Sequence, residues 1–294
     1  MSDEQSYDNR WRSAPTEKGK SARRWVQRND TRIERVIDLL EANYGQPEQP
    51  GRRNALQVLV LTILSQNTTD LNALNAYESL MKSFPPDGYD RPEQLDLPRD
   101  DEGNIDSVEI RMSQVADTLP SPDWDAVRTA SSSDVKEAIK TCGLQNTKGP
   151  AIQNVLVWLH EQHDHYDLNA LLTDCSAEEC IDLLSDIKGI GAKTAAVTVM
   201  EATEKDTCPV DTHVHRTATR IGLVEPSGSR TKTFRELNEI LPDGKGFSLH
   251  HNLLTFGRDI CTSRNPSCDE CFLNRICRYY RNEVQEEDMT TTYT

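Results

Sequence analysis

Leu184-Ser185-Asp186-Ile187-Lys188-Gly189-Ile190-Gly191-Ala192-Lys193-Thr194-Ala195 is the stretch that decides the fold. An amphipathic run ends at Ile187, a Gly-Ile-Gly turn follows, and a second helical run starts near Ala192. Two glycines two apart allow a tight turn and a close backbone approach. The turn feeds a helix N-terminus, whose free N–H groups and positive dipole end favour an anion. Helix, glycine hairpin and helix together suit a nucleic-acid phosphate, although a glycine turn alone does not establish DNA binding.

Working outward, Ser176-x-x-Glu179 makes a capping box for the first hairpin helix. Downstream of Lys193 comes Pro209-Val210-Asp211-Thr212-His213. With these residues the sequence resembles the helix-hairpin-helix DNA glycosylases, most closely the endonuclease III branch. That branch carries a Lys in the second hairpin helix and an Asp in a V-D-T-H stretch at this separation. The segment Ile139-Lys140-Thr141-Cys142-Gly143-Leu144 with Lys148 resembles the same branch.

The chemistry follows from residue types. A nucleophilic amine must be neutral, yet Lys normally titrates near ~10.4. Lys193 stands in the first turn of a helix, where the dipole disfavours added positive charge, and burial in a pocket would lower its pKa further. The resemblance implies that a damaged base is flipped out of duplex DNA and that Lys193 attacks the sugar C1′. It implies that Asp211 stabilises the oxocarbenium-like charge and helps deprotonate Lys193. The plainer alternatives are a phosphate-binding role for Lys193 and a helix N-cap for Asp211, which is compatible with catalysis. His213 and His215, two apart, read as packing or locally bonded residues rather than metal ligands.

The chain ends in a third motif, Cys261-x6-Cys268-x2-Cys271-x5-Cys277. Four thiolates this close can bind a four-iron cluster or a zinc ion. The spacing resembles the [4Fe–4S] loop of endonuclease III and the adenine glycosylases, with zinc as the alternative. The resemblance also implies that Arg264, inside this loop, contacts DNA phosphates. Nothing in the sequence demands redox work of the cluster. Cys142, Cys175, Cys180 and Cys208 read as core residues.

An earlier segment, Leu64-Ser65-Gln66-Asn67-Thr68-Thr69-Asp70, resembles the family's L-S-x-Q-x-T-D stretch. That stretch supplies the residue that fills the gap left by an extruded base. Here two amides are adjacent, Gln66 and Asn67, and both stand as candidates for the wedge. An ordinary C-cap and N-cap pair is the alternative reading.

Composition narrows the setting. Net charge is −15 over 294 residues, unusual for a DNA binder because phosphate repels such a surface. Either the chain does not bind DNA, or it works in a very salty cytoplasm where acidic surfaces keep proteins soluble. The motifs favour the second. The N-terminus lacks an apolar signal region, and the apolar stretch Leu56–Leu64 is too short to span a bilayer. The expected location is therefore the cytoplasm, in association with the nucleoid. Eight cysteines in such a compartment argue against a disulfide framework.

The remaining patterns are helical. Asp30 is placed to cap a helix carrying Ile33, Val36, Ile37, Leu40 and Tyr44, and Asn54 to cap the next, Ala55–Leu64. That second helix is apolar nearly all round, as expected at the centre of a domain. Pro85-Pro86-Asp87-Gly88 opens an acidic insertion, 85–125, with one short helix near Val108–Leu119. Ser133-Asp134 precede a helix from Val135 to Cys142 ended by Gly143, and another runs from Ala151 to His160. No stretch alternates like a strand, so the fold class is all-α.

Residues 1–29 read as a disordered arm, a solvated tail in preference to one whose Arg23, Arg24 and Trp25 touch DNA, and 283–294 as a tail. The resemblance implies two all-α lobes with the active site in the cleft between them. One is a six-helix barrel, 51–205, containing the insertion and the hairpin at 176–203. The other joins 30–50 to 206–282 and carries the cluster loop at 261–277. The implied function is base-excision repair by a monomer: a bifunctional glycosylase and abasic-site lyase that removes oxidised pyrimidines from double-stranded DNA and cuts 3′ to the site by β-elimination. Alternatives on the same scaffold are a mismatch or adenine glycosylase, and a 5-methylcytosine glycosylase of the plant type suggested by Asp123-Trp124-Asp125-Ala126-Val127-Arg128. A non-catalytic DNA-binding protein with a structural metal loop is the alternative from another class.

Overall fold

The computed structural model describes residues 31–89, 119–162 and 165–284. The N-terminal arm with Arg23, Arg24 and Trp25, the Asp30 cap, residues 90–118 of the acidic insertion with all but the last residue of its expected helix, and the tail after Val284 lie outside the described residues. Among the described residues the structure is all-helical, with no strand. It divides into two compact units, one of residues 50–205 and one of residues 1–49 with 206–294.

The 50–205 unit is built on two successive helices, α2 (Ala55–Leu64) and α3 (Asp70–Ser83). Asn54 caps α2 by accepting from Gln57 N, and nine of the ten α2 residues are buried. An all-apolar helix has no solvent face to offer, so it must sit inside. Its one buried polar side chain, Gln57, donates to Tyr77 Oη at 3.0 Å and to Leu119 O at 2.8 Å. Tyr77 in turn donates to Pro120 O at 3.1 Å. Asp123 N donates to Phe84 O at 2.9 Å, so the two ends of the insertion are tied to each other and to α2.

Beyond the insertion run α4 (Trp124–Thr129), α5 (Ser132–Ala138), a 3-10 turn at Lys140–Cys142, α6 (Gln145–Gln162), α7 (Leu168–Leu171), α8 (Ala177–Ser185) and α9 (Ala192–Ala202). Asp123 caps α4 through Ala126 N, and Trp124 is buried beneath it. The Asp-Trp-Asp-Ala-Val-Arg motif is thus a helix start with a core anchor. Ser131, rather than Ser133-Asp134, caps α5. α6 begins at Gln145, six residues before the expected start. Gly149-Pro150 reads locally as a helix opening, yet the helix continues back over a buried Lys148.

One expectation is overturned. Cys175 and Cys180 form a disulfide, with Cα atoms 5.8 Å apart. They bracket the first turn of α8, whose capping box, Ser176 with Glu179, fixes the local chain. Compartment arguments concern a framework of distant bridges. They do not exclude a local pair that a capped turn holds within bridging distance. Cys142 and Cys208 are buried free thiols, as expected.

In the other unit α1 (Arg32–Tyr44) returns to pack with α10 (Thr212–Ile221), α11 (Arg230–Glu239) and α12 (Gly246–Asp259). Thr31 caps α1 in a capping box with Glu34. Ile33, Val36, Ile37 and Leu40 share one core with Val214, Ala218, Leu253 and Phe256. Glu41 on α1 accepts from Lys245 Nζ at 2.9 Å and from Ser248 Oγ at 2.8 Å. This contact binds the N-terminal helix to the C-terminal half of the chain.

Candidate DNA-binding site, catalytic residues and cluster loop

The hairpin turn joins α8 to α9. Ile190 N donates to Ile187 O at 2.9 Å, and both isoleucines are buried. Gly189 has φ +100°, and a Cβ there would stand 2.9 Å from Ala151 Cβ. Only glycine satisfies both conditions. Gly191 is different: it is the N-cap of α9 with φ −92°, and a Cβ on it would meet nothing within 4 Å. The space over Gly191 is open, and no side chain caps α9. The first N–H groups of this helix, with its positive dipole end, therefore face outward, ready for an anion.

Lys193 projects from this turn and is exposed, whereas Thr194 beside it is buried. The burial expected for Lys193 is not supplied by the protein, because the residue occupies the outer face of an uncapped helix start. Thr194 Oγ1 accepts from Gln66 Nε2 at 3.0 Å, which links the hairpin to the end of α2. The two adjacent amides thus have different surroundings. Gln66 turns inward. Asn67 is exposed and left-handed, with φ +52°. Ser65 is the C-cap of α2 and Thr69 the N-cap of α3, so the cap reading also holds.

Leu144 went unassigned in the sequence. It is 53% exposed, has φ +51° and follows Gly143 at φ +65°. An exposed leucine in a left-handed conformation is costly to hold. Its sequence signal was its place at the end of the family-like segment from Ile139 to Leu144, to which no role was given.

In the other unit Asp211 caps α10, with Oδ1 accepting from Val214 N at 2.8 Å. Its Oδ2 has no hydrogen-bond partner among the described residues. The preceding segment is fixed by Asn238, whose Oδ1 accepts from Cys208 N at 2.8 Å and whose Nδ2 donates to Cys208 O at 3.1 Å. His250 Nδ1 pairs with Pro209 O at 2.8 Å. His213 pairs with Arg216, and His215 with Thr233 Oγ1.

Cys261, Cys268, Cys271 and Cys277 line one cavity, together with Phe256 and Tyr279. Among the described residues no three His, Cys, Asp or Glu side chains converge as they would on a single ion. Four thiols lining one cavity supply the four-thiolate set that a [4Fe–4S] cluster takes. Burial pushes the thiols of Cys268 and Cys277 up, and that of Cys271 to about 12. They need a bound metal to become thiolates. Arg220 shapes the loop, donating to Thr262 O at 2.6 Å and Ser263 O at 3.1 Å. Thr262 Oγ1 donates to Arg264 O at 2.6 Å, and Arg264 is exposed on the loop's outer side.

A glycine hairpin opening an uncapped helix, with a four-cysteine loop at the chain's end, defines a class of DNA repair protein. The chain belongs to the HhH-GPD superfamily of base-excision DNA repair proteins, whose model matches residues 60–243. Residues 261–277 match the iron–sulfur binding domain of endonuclease III. The protein is a base-excision DNA glycosylase of endonuclease III type. Its cofactor is a [4Fe–4S] cluster, which the four loop cysteines would hold.

Endonuclease III of Sulfolobus acidocaldarius is 29% identical over 237 residues, 79% of this chain and 86% of that protein. The DNA glycosylase/AP lyase ROS1 of Arabidopsis thaliana is 28% identical over 55% of this chain but only 13% of its own length. A non-covalent endonuclease III–DNA complex shares the fold at TM-score 0.59 and 20% identity, covering 86% of this chain and 97% of that one.

Proposed function

We propose that this protein excises oxidised pyrimidines from duplex DNA and then cleaves the strand by β-elimination. The observation that supports this most is the exposed Lys193 on the open N-terminus of α9. A phosphate seated on the helix amides would bring the sugar–phosphate backbone to that amine. The Lys193 amine attacks C1′, an N–C bond forms, and the base leaves with the electron pair of the glycosidic bond. The amine gives up a proton and the C1′–O4′ bond opens with O4′ taking a proton; the resulting iminium loses a proton from C2′ as the C3′–O bond breaks, its oxygen leaving with the 3′ phosphate. Lys193 is exposed in the free protein, so bound DNA must exclude water from it.

Asp211 supplies the carboxylate that stabilises positive charge on the sugar, through the oxygen its cap leaves free. Asn67, held outward, fills the gap left by the flipped base, while Gln66 braces the hairpin through Thr194. Leu144 is a second, apolar wedge on the same unit. Arg264 on the cluster loop takes a backbone phosphate. The acidic surface is an adaptation to a salt-rich cytoplasm, where the protein acts as a monomer on the nucleoid.

A panel of duplexes tests the substrate class, each with one lesion: an oxidised pyrimidine, 5-methylcytosine, a G·T mismatch, or adenine opposite an oxidised guanine. Excision and 3′ nicking should be fastest on the oxidised pyrimidine. Faster excision of 5-methylcytosine would move the assignment to the plant-type reading, and faster action on either mispair would move it to a mismatch or adenine glycosylase.

A further inference from the structure

Lys148 is buried, with 1% of its surface exposed, and the chemistry above does not use it. Its Nζ donates to two main-chain oxygens, Leu64 O and Cys142 O, each at 2.8 Å. Among the described residues no carboxylate shares the site. Burying an ammonium without a counter-ion is expensive, so the carbonyls it meets must matter.

Leu64 O is the last carbonyl of α2, and the other three in that turn are satisfied locally. Leu61 O accepts from Ser65 N, Thr62 O from Ser65 Oγ, and Ile63 O from Gln66 N. Leu64 O has Lys148. Three residues beyond it stands Asn67, with its left-handed backbone. Cys142 O directly precedes Gly143 and Leu144, the second left-handed pair. The main-chain N–H of Lys148 also donates to Leu144 O, at 3.0 Å. One residue therefore grips the base of both outward loops. Each loop holds a side chain in a backbone region that is normally sparsely populated, and such conformations persist only when the surroundings fix them. A cation also suits the negative end of the α2 dipole.

We propose that Lys148 is a positioning residue that locks the Asn67 and Leu144 loops into one arrangement for extruding a base. This rests on the reading of those two loops as wedges. It assigns Lys148 a role in opening the duplex and none in the covalent step.

The experiment separates the two steps. The holoenzyme and Lys148→Met, of similar length without the charge, are compared on lesion-bearing duplex and on single-stranded DNA with a preformed abasic site. Duplex extrusion is read by 2-aminopurine fluorescence beside the lesion, and the covalent step by borohydride trapping. Lys148→Met should lose roughly 10-fold to 100-fold in duplex extrusion and excision, as expected for loosened positioning. Its trapping on the single-stranded abasic site should stay near the wild-type level. Unchanged duplex extrusion, or an equal loss on both substrates, overturns the proposal.

If Lys148→Met does not fold, Lys148→Arg carries the same comparison. It keeps the charge and alters the geometry, so a smaller loss confined to duplex is expected, and the same two outcomes overturn the proposal. The double variant Asn67→Gly, Leu144→Gly tests the underlying reading separately. Wild-type extrusion by that variant would show that the loops are not wedges, whatever Lys148 does.

Discussion

The glycine hairpin at 184–195 and the cysteine loop at 261–277 achieve their shapes by opposite means. The hairpin is main-chain architecture. A capping box starts α8, one left-handed glycine packs on Ala151, and the uncapped amides of α9 are the proposed binding feature. It is complete without any bound group. The cysteine loop is side-chain architecture. Its short turns hang on Arg220 and Thr262, and its four thiols line one cavity that a bound cluster would fill. A motif made of backbone can be ready before its ligand. A motif made of buried thiols is finished by its ligand.

The largest expected effect follows from that contrast. Purified protein should be yellow-brown and carry about four irons per chain by metal analysis. Cys268→Ser should lose most of the iron and impair folding of the 206–294 part, because the ligands act as a set. Colourless protein with one zinc would contradict the cluster. A Cys268→Ser protein with full iron content would contradict the ligand assignment.

Asp211 sharpens the contrast, since one carboxylate serves both structure and proposed chemistry. Asn can cap a helix as well as Asp, so Asp211→Asn should leave stability nearly unchanged. Its excision rate should fall by about 10²–10³-fold, the usual scale for one lost electrostatic contact in the transition state. Asp211→Ala should lose the same activity and about 1 kcal/mol of stability besides. A Tm loss in Asp211→Asn as large as in Asp211→Ala, with activity kept, would reduce the residue to a cap.

The two hairpin glycines should part company. Gly189→Ala meets both a positive φ and a 2.9 Å contact, and should cost about 2–3 kcal/mol in denaturant unfolding. Gly191→Ala meets open space and an ordinary φ. It should cost at most about 1 kcal/mol while weakening DNA binding, because a methyl then stands over the anion site. Equal stability losses would remove the distinction.

Salt and pH give the smallest effects. Activity should survive molar salt, and folding should be poorer at low salt, since salt screens repulsion across an acidic surface as well as phosphate contacts. Best activity in dilute buffer, lost by half-molar salt, would refute the salt-adapted reading. Asp38 shows the repulsion locally. Burial first, then Glu41, raises its pKa from 3.8 to about 6, with Lys245 opposing. The native state therefore binds the proton more tightly, and this contribution to stability is lost as pH rises from about 4 to 6. Asp38→Asn should gain about 1–2 kcal/mol at neutral pH, allowing for partial exposure, and lose that gain near pH 4. A gain independent of pH would show that the shift is not its source.

The parts of the molecule legible in the sequence are those fixed by local chemistry. The all-α class, the Asn54 and Ser176 caps, the hairpin and the cysteine spacing are all short-range patterns. The rest depended on contacts between distant residues or on backbone angles. Gln66 and Asn67 are adjacent amides in the sequence, and the bond from Gln66 to Thr194 and the left-handed, exposed Asn67 separate them. Leu144 was legible as the end of a family-like segment, but its role depends on an exposure that the sequence does not show. Lys148 was legible only as part of a family-like segment, because the carbonyl it satisfies belongs to Leu64, far back in the chain. The Cys175–Cys180 bridge was hidden by an argument about compartments that does not reach a local pair.

The central claim is that Lys193 forms the covalent link to DNA, and borohydride trapping tests it most directly. Wild-type protein on duplex with an abasic site should give a stable protein–DNA adduct. Lys193→Gln keeps a polar side chain without a basic amine, and should give neither adduct nor strand cleavage while still binding the lesion. Adduct formation by Lys193→Gln at the wild-type rate would contradict the account and place the nucleophile on another amine, such as Lys188 or the N-terminus.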